Sequence, residues 1–272
     1  MMQSRAVFDL LAQNYDAEFT SSQIGRLQRN RVWYYLTQLL NAANRKLSIL
    51  EINCGTGEDA LQLGALGHSV MATDAAPVMI EKAKSKLNAL LNSASDIQFE
   101  TCAFSELPYL CKDKQFDLIF SNFAGLNCIP KNEMEQLCID LAVMVKPAGY
   151  LFMVLLSPYC LREIFYYGIR GRFKTAFRRL KGSARFTVND HTMPVYYYAP
   201  GKIRSIFSQL FTFIKSQPVG LFIPPSYLEY KFINNKKKLD KLDRLEAKWH
   251  PSFLSSFADH FCIIFKKTAT SA

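Results

Sequence analysis

Two carboxylates and two glycines form the chain's clearest chemical pattern. The heptapeptide Glu51-Ile-Asn-Cys-Gly-Thr-Gly57 follows a short apolar run, Leu47 to Ile52, and precedes a stretch from about Glu58 to Leu66 that reads as a helix. A strand, a glycine turn and a helix bring backbone N–H groups and a helix N-terminus to one spot, which suits a nucleotide-like ligand at the carboxyl end of a sheet. Close approach of such a ligand requires residues without a Cβ, and Gly55 and Gly57 supply them. Asp74 closes the next apolar run, 17 residues past Gly57, where a carboxylate can accept both hydroxyls of a ribose.

Two ligand classes fit this much. Gly55-Thr-Gly57-Glu-Asp-Ala60 satisfies G-x-G-x-x-G/A, the pattern of a dinucleotide site. Glu51 argues the other way. A pyrophosphate has no use for a nearby carboxylate, whereas an amino acid bearing an ammonium and a sulfonium needs one.

The elements that position these residues follow a regular rhythm. Arg5 to Asn14 and Ile24 to Leu40 read as helices. Strands follow at Leu47–Ile52, Ser69–Thr73, Ile97–Thr101, Phe116–Ser121 and Tyr150–Leu156, the last after a turn at Lys146-Pro-Ala-Gly149. Helices separate them: Glu58 to Leu66, Pro77 to Leu91 with proline in its favoured first turn, and Glu133 to Val145. Such alternation predicts a doubly wound, mostly parallel α/β sheet. After Ser157-Pro158 the rhythm breaks. It returns with a helix near Gly201–Gln209, a strand near Phe211–Ile214, a charged helix near Tyr227–Lys248 and a last strand, Phe261–Lys266.

With these motifs in order, the sequence resembles the class I S-adenosylmethionine-dependent methyltransferases, in particular the small-molecule branch similar to the quinone-biosynthesis (type 11) enzymes. Leu50-Glu51-Ile-Asn-Cys-Gly-Thr-Gly57 looks like their first motif, E/D-x-G-x-G-x-G. Val70-Met-Ala-Thr-Asp74 looks like their second strand and its ribose-binding acid. Phe116-Asp-Leu-Ile-Phe-Ser-Asn122 and Leu141 to Tyr150 resemble the fourth strand and the entry to the fifth, and Asn14-Tyr15-Asp16 is similar to a Y-D element that often folds over the cofactor. The resemblance implies a seven-stranded Rossmann-like methyltransferase fold that binds S-adenosylmethionine and releases S-adenosylhomocysteine. The cofactor residues it implies are Tyr15, Glu51, Asn53, Cys54, Gly55 and Gly57, then Asp74, Ala75, Met79, Ala103, Phe104 and Asn122. Two positions depart from the family pattern. Asn53 stands for the first motif glycine, and Cys102 for an acid that often accepts from the adenine amino group. Adenine contact would then rest on backbone groups and stacking on Phe104. A helical cap over 1–45, a cofactor-binding core over 46–157 and 200–272, and a lid insertion over 158–199 complete the expected organisation.

Each of these residues also has a purely structural reading. The glycines can make a tight turn, Asp74 can cap the helix at Pro77, Asn122 can form an Asx turn, and Tyr15 and Met79 can be core. Seven scattered cysteines without a C-x-x-C pair read as reduced thiols in apolar space, with no metal site expected. His68, His250 and His260 read as structural. His191, inside the variable insertion, is the histidine singled out as a base for a phenol or enol acceptor, with Asp190 beside it; a carboxylate or thiolate acceptor would need none.

Charge is unevenly distributed. Residues 1–156 carry net −3, 157–200 net +6 and 201–272 net +7. The field of the second half favours anionic partners: a carboxylate or phosphate substrate, a membrane surface or nucleic acid. Within 158–199, arginines alternate with aromatic residues, which reads either as a solvated helix face or as a substrate lid with an amphipathic surface. The expected function is methyl transfer to a small, partly apolar and anionic or lipid-like metabolite. Against nucleic-acid methylation stands Ser121-Asn122-Phe123-Ala124, which is no N/D-P-P-Y/F motif; a non-catalytic cofactor-binding protein is the third reading. No apolar run approaches the length of a membrane span and no secretory signal is evident, so the expectation is a cytoplasmic protein.

Overall fold

The run Leu47–Ile52 is apolar because both of its faces are covered. In the computed structural model, which describes residues 2–90, 96–123, 125–232 and 235–268, β1 (Ser48–Ile52) lies inside a seven-stranded sheet. It pairs in parallel with β2 (Ser69–Asp74) on one side and β4 (Phe116–Ser121) on the other. Beyond β2 lies β3 (Ile97–Thr101), and beyond β4 lies β5 (Val145–Leu156). The sheet ends with β9 (His260–Lys267), antiparallel to both β5 and β8 (Phe211–Val219), giving the order β3-β2-β1-β4-β5-β9-β8. This is a mostly parallel, doubly wound sheet of the Rossmann-like kind. The order reverses between β1 and β4, so the crevice for a ligand opens at their carboxyl ends.

Alternate strand residues face two apolar layers. Ile49, Val70, Leu118, Phe120 and Val154 pack on the side of α2 (Gln23–Ala43), α3 (Glu58–Ala65) and α4 (Pro77–Ala89). Leu50, Ile52, Ile119, Leu151 and Met153 pack on the other side. There they meet α6 (Lys131–Met144), which follows the short α5 (Leu107–Leu110), and later α9 (Pro200–Phe207). The N-terminal helix α1 (Met2–Leu11) lies against α4, and a single π-turn, Asp16–Thr20, joins it to α2.

Several elements depart from the sequence reading. The expected turn at Lys146-Pro-Ala-Gly149 is a bulge within β5. The ladder to β4 jumps between the pairs Phe116–Val145 and Leu118–Tyr150, and Ala148 takes φ +61°. The expected helix Tyr227–Lys248 divides into a 3₁₀ turn, Ser226–Lys231, and α10 (Lys236–Lys248); residues 233–234 within it and Leu91 at the end of the Pro77 helix lie outside the described residues. Within 158–199 the chain makes α7 (Leu161–Gly168), α8 (Phe173–Ala176), a 3₁₀ turn (Arg178–Lys181) and a hairpin of β6 (Ser183–Val188) and β7 (His191–Tyr196). Asn189 at φ +51° opens the two-residue hairpin turn, a backbone region that asparagine tolerates.

Candidate functional site

β1 delivers Glu51 to the carboxyl edge of the sheet, one residue before the strand ends. By alternation its side chain shares the α2/α3 face with Ile49, where it is buried and its Oε2 has no hydrogen-bond partner. Burial pushes its carboxyl well above the usual carboxylate range; Asp59 and Asp74 push the same way, and Arg29 pulls it down. Arg29 is committed elsewhere, in an ion pair with Asp59. Asp59 also accepts from the Trp33 indole (2.7 Å) and from Asn122 Nδ2 (2.8 Å). Arg29 thus serves Asp59 first, and its own Nε, like Glu51 Oε2, is buried without a hydrogen-bond partner.

The turn after β1 explains its residue types. Asn53 stands at φ +57°, and its side chain donates to the Asn122 carbonyl (2.7 Å) and accepts from Ser121 Oγ (2.6 Å), clamping the ends of β1 and β4 together. A Cβ on Gly125 would lie 2.4 Å from Asn53 Cγ, so the asparagine and this glycine are matched. Gly55 at φ +54° leaves open space beside Tyr15. Gly57 takes φ +78°, and a Cβ there would come within 2.8 Å of Ala83 and Phe99, so backbone conformation and helix–strand packing both call for glycine. Asp74 accepts the Gly55 N–H on Oδ2 and the Ala76 N–H on Oδ1, both at 2.9 Å. Its orientation is thereby fixed, with capacity left for a further donor. Burial raises its carboxyl above the usual range, and the backbone N–H groups of Ala76, Gly55 and Ala75 oppose that shift.

A cleft of about 730 Å³, including its open mouth, runs over these residues. Its floor is Asn53, Gly55, Asp74, Ala75 and Met79; one wall is Cys102, Ala103 and Phe104; the other is Phe123, Gly125, Cys128 and Ile129. Arg5, Phe8 and Tyr15 cap it. Asp16 holds that cap, accepting from Thr56 Oγ1 (2.6 Å) in the glycine turn and pairing with Lys86 (2.8 Å) on α4. Burial pushes the Tyr15 hydroxyl up to about 12, with Arg29 opposing, so it stays a neutral donor at ordinary pH.

Of the residues singled out from sequence, Tyr15, Asn53, Gly55, Asp74, Ala75, Met79, Ala103 and Phe104 line one cleft. Glu51, Cys54, Gly57 and Asn122 lie outside its lining. Cys54 is buried, with its N–H on the Thr73 carbonyl (2.9 Å), and Asn122 is held by Asp59 and by the Phe123 N–H (3.0 Å). The Ala103 N–H, a backbone donor available in principle to adenine, is taken by Glu106 Oε2 (2.7 Å). His191 is exposed at the start of β7, outside the cleft lining. None of the lining residues falls within 158–199; the β6–β7 hairpin packs on α1 and backs the cap instead.

Arg5, Phe8, Phe123, Cys128 and Ile129 were not anticipated; they reach the cleft through tertiary folding, with no local spacing to mark them. The other histidines are structural contacts: His68 Nδ1 accepts the Leu47 N–H (3.2 Å), His250 stacks edge-on with Tyr34 and Tyr35, and His260 packs on Phe123. All seven cysteines are free thiols, and the described residues contain no cluster of three or more acids, cysteines or histidines that could hold a metal. None of their helices is long and apolar enough to cross a membrane.

Comparison with known proteins agrees with this geometry. Residues 49–149 match the family model described as "Methyltransferase domain". The chain is 30% identical over 159 residues to malonyl-[acyl-carrier protein] O-methyltransferase of Pseudescherichia vulneris, covering 58% of this chain and 55% of that protein. It is 28% identical over 101 residues to the tRNA 5-carboxymethoxyuridine methyltransferase of Escherichia coli K12, covering 37% and 38%. The matches thus span little more than half of the first relative and less of the second. Magnesium protoporphyrin IX methyltransferase from Synechocystis PCC 6803, solved with SAH (S-adenosylhomocysteine) bound, superposes with a TM-score of 0.63 over 97% of this chain and 98% of that one. At 14% identity that likeness is one of fold.

Proposed function

We propose that this chain, whose residues 49–149 match a methyltransferase domain, is a class I S-adenosylmethionine-dependent enzyme that transfers the methyl group to a small, partly apolar and anionic metabolite. The observation that carries the reading is Glu51, a buried carboxylate with an unpartnered oxygen among three acids and one committed arginine. A pyrophosphate would add negative charge there, whereas an ammonium supplies the missing partner.

Bound S-adenosylmethionine supplies a methyl carbon already activated by its sulfonium, so the protein's share of the work is alignment and exclusion of water. Asp74 offers its remaining lone pairs to the ribose hydroxyls from a fixed orientation. Met79 and Phe104 provide apolar walls for the base. Tyr15, pinned through Asp16, closes the cleft from above. The acceptor's character follows from the remaining lining: Phe8, Phe123 and Ile129 are apolar, and Arg5 adds a cation. No histidine lines the cleft, which favours a carboxylate acceptor that needs no proton removed. The bacterial relative named for O-methylation of malonyl-[acyl-carrier protein] supports the same class. Transfer to nucleic acid is the second reading, favoured by the charge of residues 157–272 and by the relative named for tRNA.

Calorimetric titration with S-adenosylmethionine tests the central claim. Asp74→Ala should weaken binding by about 10- to 100-fold, as expected for lost hydrogen bonds to a charged acceptor. Binding by Asp74→Ala equal to that of the unmodified chain, or preferential binding of a nicotinamide dinucleotide, would overturn the assignment.

A further inference from the structure

We propose that α7, α8 and the turn between them form a docking face for an anionic lipid surface. Leu161, Phe165, Ile169, Phe173 and Phe177 recur every four residues along this segment, and all are exposed. Phe165, Ile169 and Phe173 keep 67%, 65% and 61% of their surface in solvent. Scattered exposed apolar residues are ordinary, but a contiguous series of large ones marks an interaction surface.

Charge decides which partner fits. Arg170, Arg172, Lys174 and Lys181 stand exposed among these apolar residues. Residues 157–200 hold only two acids, Glu163 and Asp190, against eight bases. Glu163 is buried and paired with Arg178 and Arg179, not with Arg170, Arg172, Lys174 or Lys181. At the edge of the face, Tyr166 and Tyr230 meet through their hydroxyls (3.1 Å), with Arg170 over one ring and Lys231 over the other. Amphipathic aromatic rings beside cations suit the headgroup layer. A nucleic acid would use the cations and stack on flat rings, but it gains nothing from Leu161 and Ile169, which a lipid interface buries along with the phenylalanines.

The face is held in place. Arg179 ties Glu163 to Asp259 and to the Ser157 carbonyl in the core, so α7 is fixed rather than loosely attached. The chain then runs directly into the β6–β7 hairpin, which packs on α1, the helix whose Arg5 and Phe8 cap the cleft. A docked molecule would therefore hold its cleft cap close to the lipid.

Vesicle flotation of the full chain tests this. With phosphatidylcholine vesicles containing about a third phosphatidylserine, the protein should float at low salt, and it should float far less with phosphatidylcholine alone. Phe165→Ser/Ile169→Ser/Phe173→Ser, which changes no charge, should lower partitioning by more than about tenfold. Arg170→Glu/Arg172→Glu/Lys174→Glu should do likewise, with thermal unfolding of both variants unchanged because every altered side chain is exposed. Asp74→Ala should float like the unmodified chain, which separates this inference from the assignment of the cleft. Equal flotation of the serine variant, or no flotation of the unmodified chain, would overturn the proposal. Retention on bulk RNA that the serine variant keeps and the glutamate variant loses would reassign the face to nucleic acid.

Discussion

Glu51 and Glu246 are both glutamates withdrawn from water, yet their surroundings differ. Glu246, on α10, accepts four backbone N–H groups: Gly220 (2.6 Å), Leu221 (3.1 Å), Phe222 (2.8 Å) and Ile223 (3.0 Å). Burial raises its carboxyl above the usual range, and those donors oppose the rise. Glu163 and Asp259 are likewise satisfied, sharing Arg179 between them. At the β1 edge Glu51 has an oxygen with no donor and acids for neighbours. A buried polar group left without a partner costs stability unless something outside the fold completes it. Glu246, Glu163 and Asp259 therefore serve as architecture, whereas Glu51, on the function proposed above, is a receptor for the ligand.

The comparison breaks most visibly where the architecture is densest. Arg179→Leu removes the guanidinium that two buried carboxylates share, leaving Glu163 with Arg178 and Asp259 with Gln28 and His260, and should destabilise the protein by about 3–5 kcal/mol, on the order of 10 °C in Tm. The folded fraction should keep its cofactor affinity. A variant melting within about 2 °C of the unmodified chain would mean that these carboxylates find other partners. Glu246→Gln is next in size. An amide oxygen cannot serve four donors with a full charge, and its NH₂ faces them, so a loss of about 2–3 kcal/mol in urea unfolding is expected, again with cofactor affinity unchanged. Equal stability of Glu246→Gln would show that the 220–223 loop is held by other contacts.

Which of these roles could be read from the sequence depended on the range of the interactions. The apolar runs of β1 to β5 and the motif around Gly55 are local signals, and they announced the sheet and the position of Asp74 at the end of β2. Arg178 and Arg179 read as part of an exposed basic run, but the acid that draws Arg179 inward, Asp259, lies 80 residues away. The β6–β7 hairpin escaped notice because Ser183-Ala-Arg-Phe-Thr-Val188 leaves most of its side chains in solvent and lacks a core-facing alternation. Arg5 and Phe8 enter the cleft only because α1 packs against α4 and the β6–β7 hairpin, guided by contacts such as Asp9 with the Val78 N–H (3.1 Å). Gly57 carries reasons that the motif did not show: its φ of +78° and the approach of Ala83 and Phe99.

The smallest effect expected bears most directly on the receptor role. Glu51→Gln removes a charge with no partner, so stability should change by less than about 1 kcal/mol, while affinity for S-adenosylmethionine falls about tenfold. The sign with pH follows from the raised carboxyl of Glu51. In the free protein its contribution to stability is present below the ordinary glutamate value, about 4.3, and is lost as pH rises through the folded-state value. An ammonium favours the ionised form, so binding must release a proton whenever the free carboxyl is protonated. Affinity should therefore climb with pH until the raised value is passed, by up to tenfold per unit, and then level. Glu51→Gln should lose both the slope and the proton release, which calorimetry in buffers of differing ionisation enthalpy measures directly. If the slope survives in Glu51→Gln, the titrating group is elsewhere and the unpartnered oxygen of Glu51 has no role in holding the ligand.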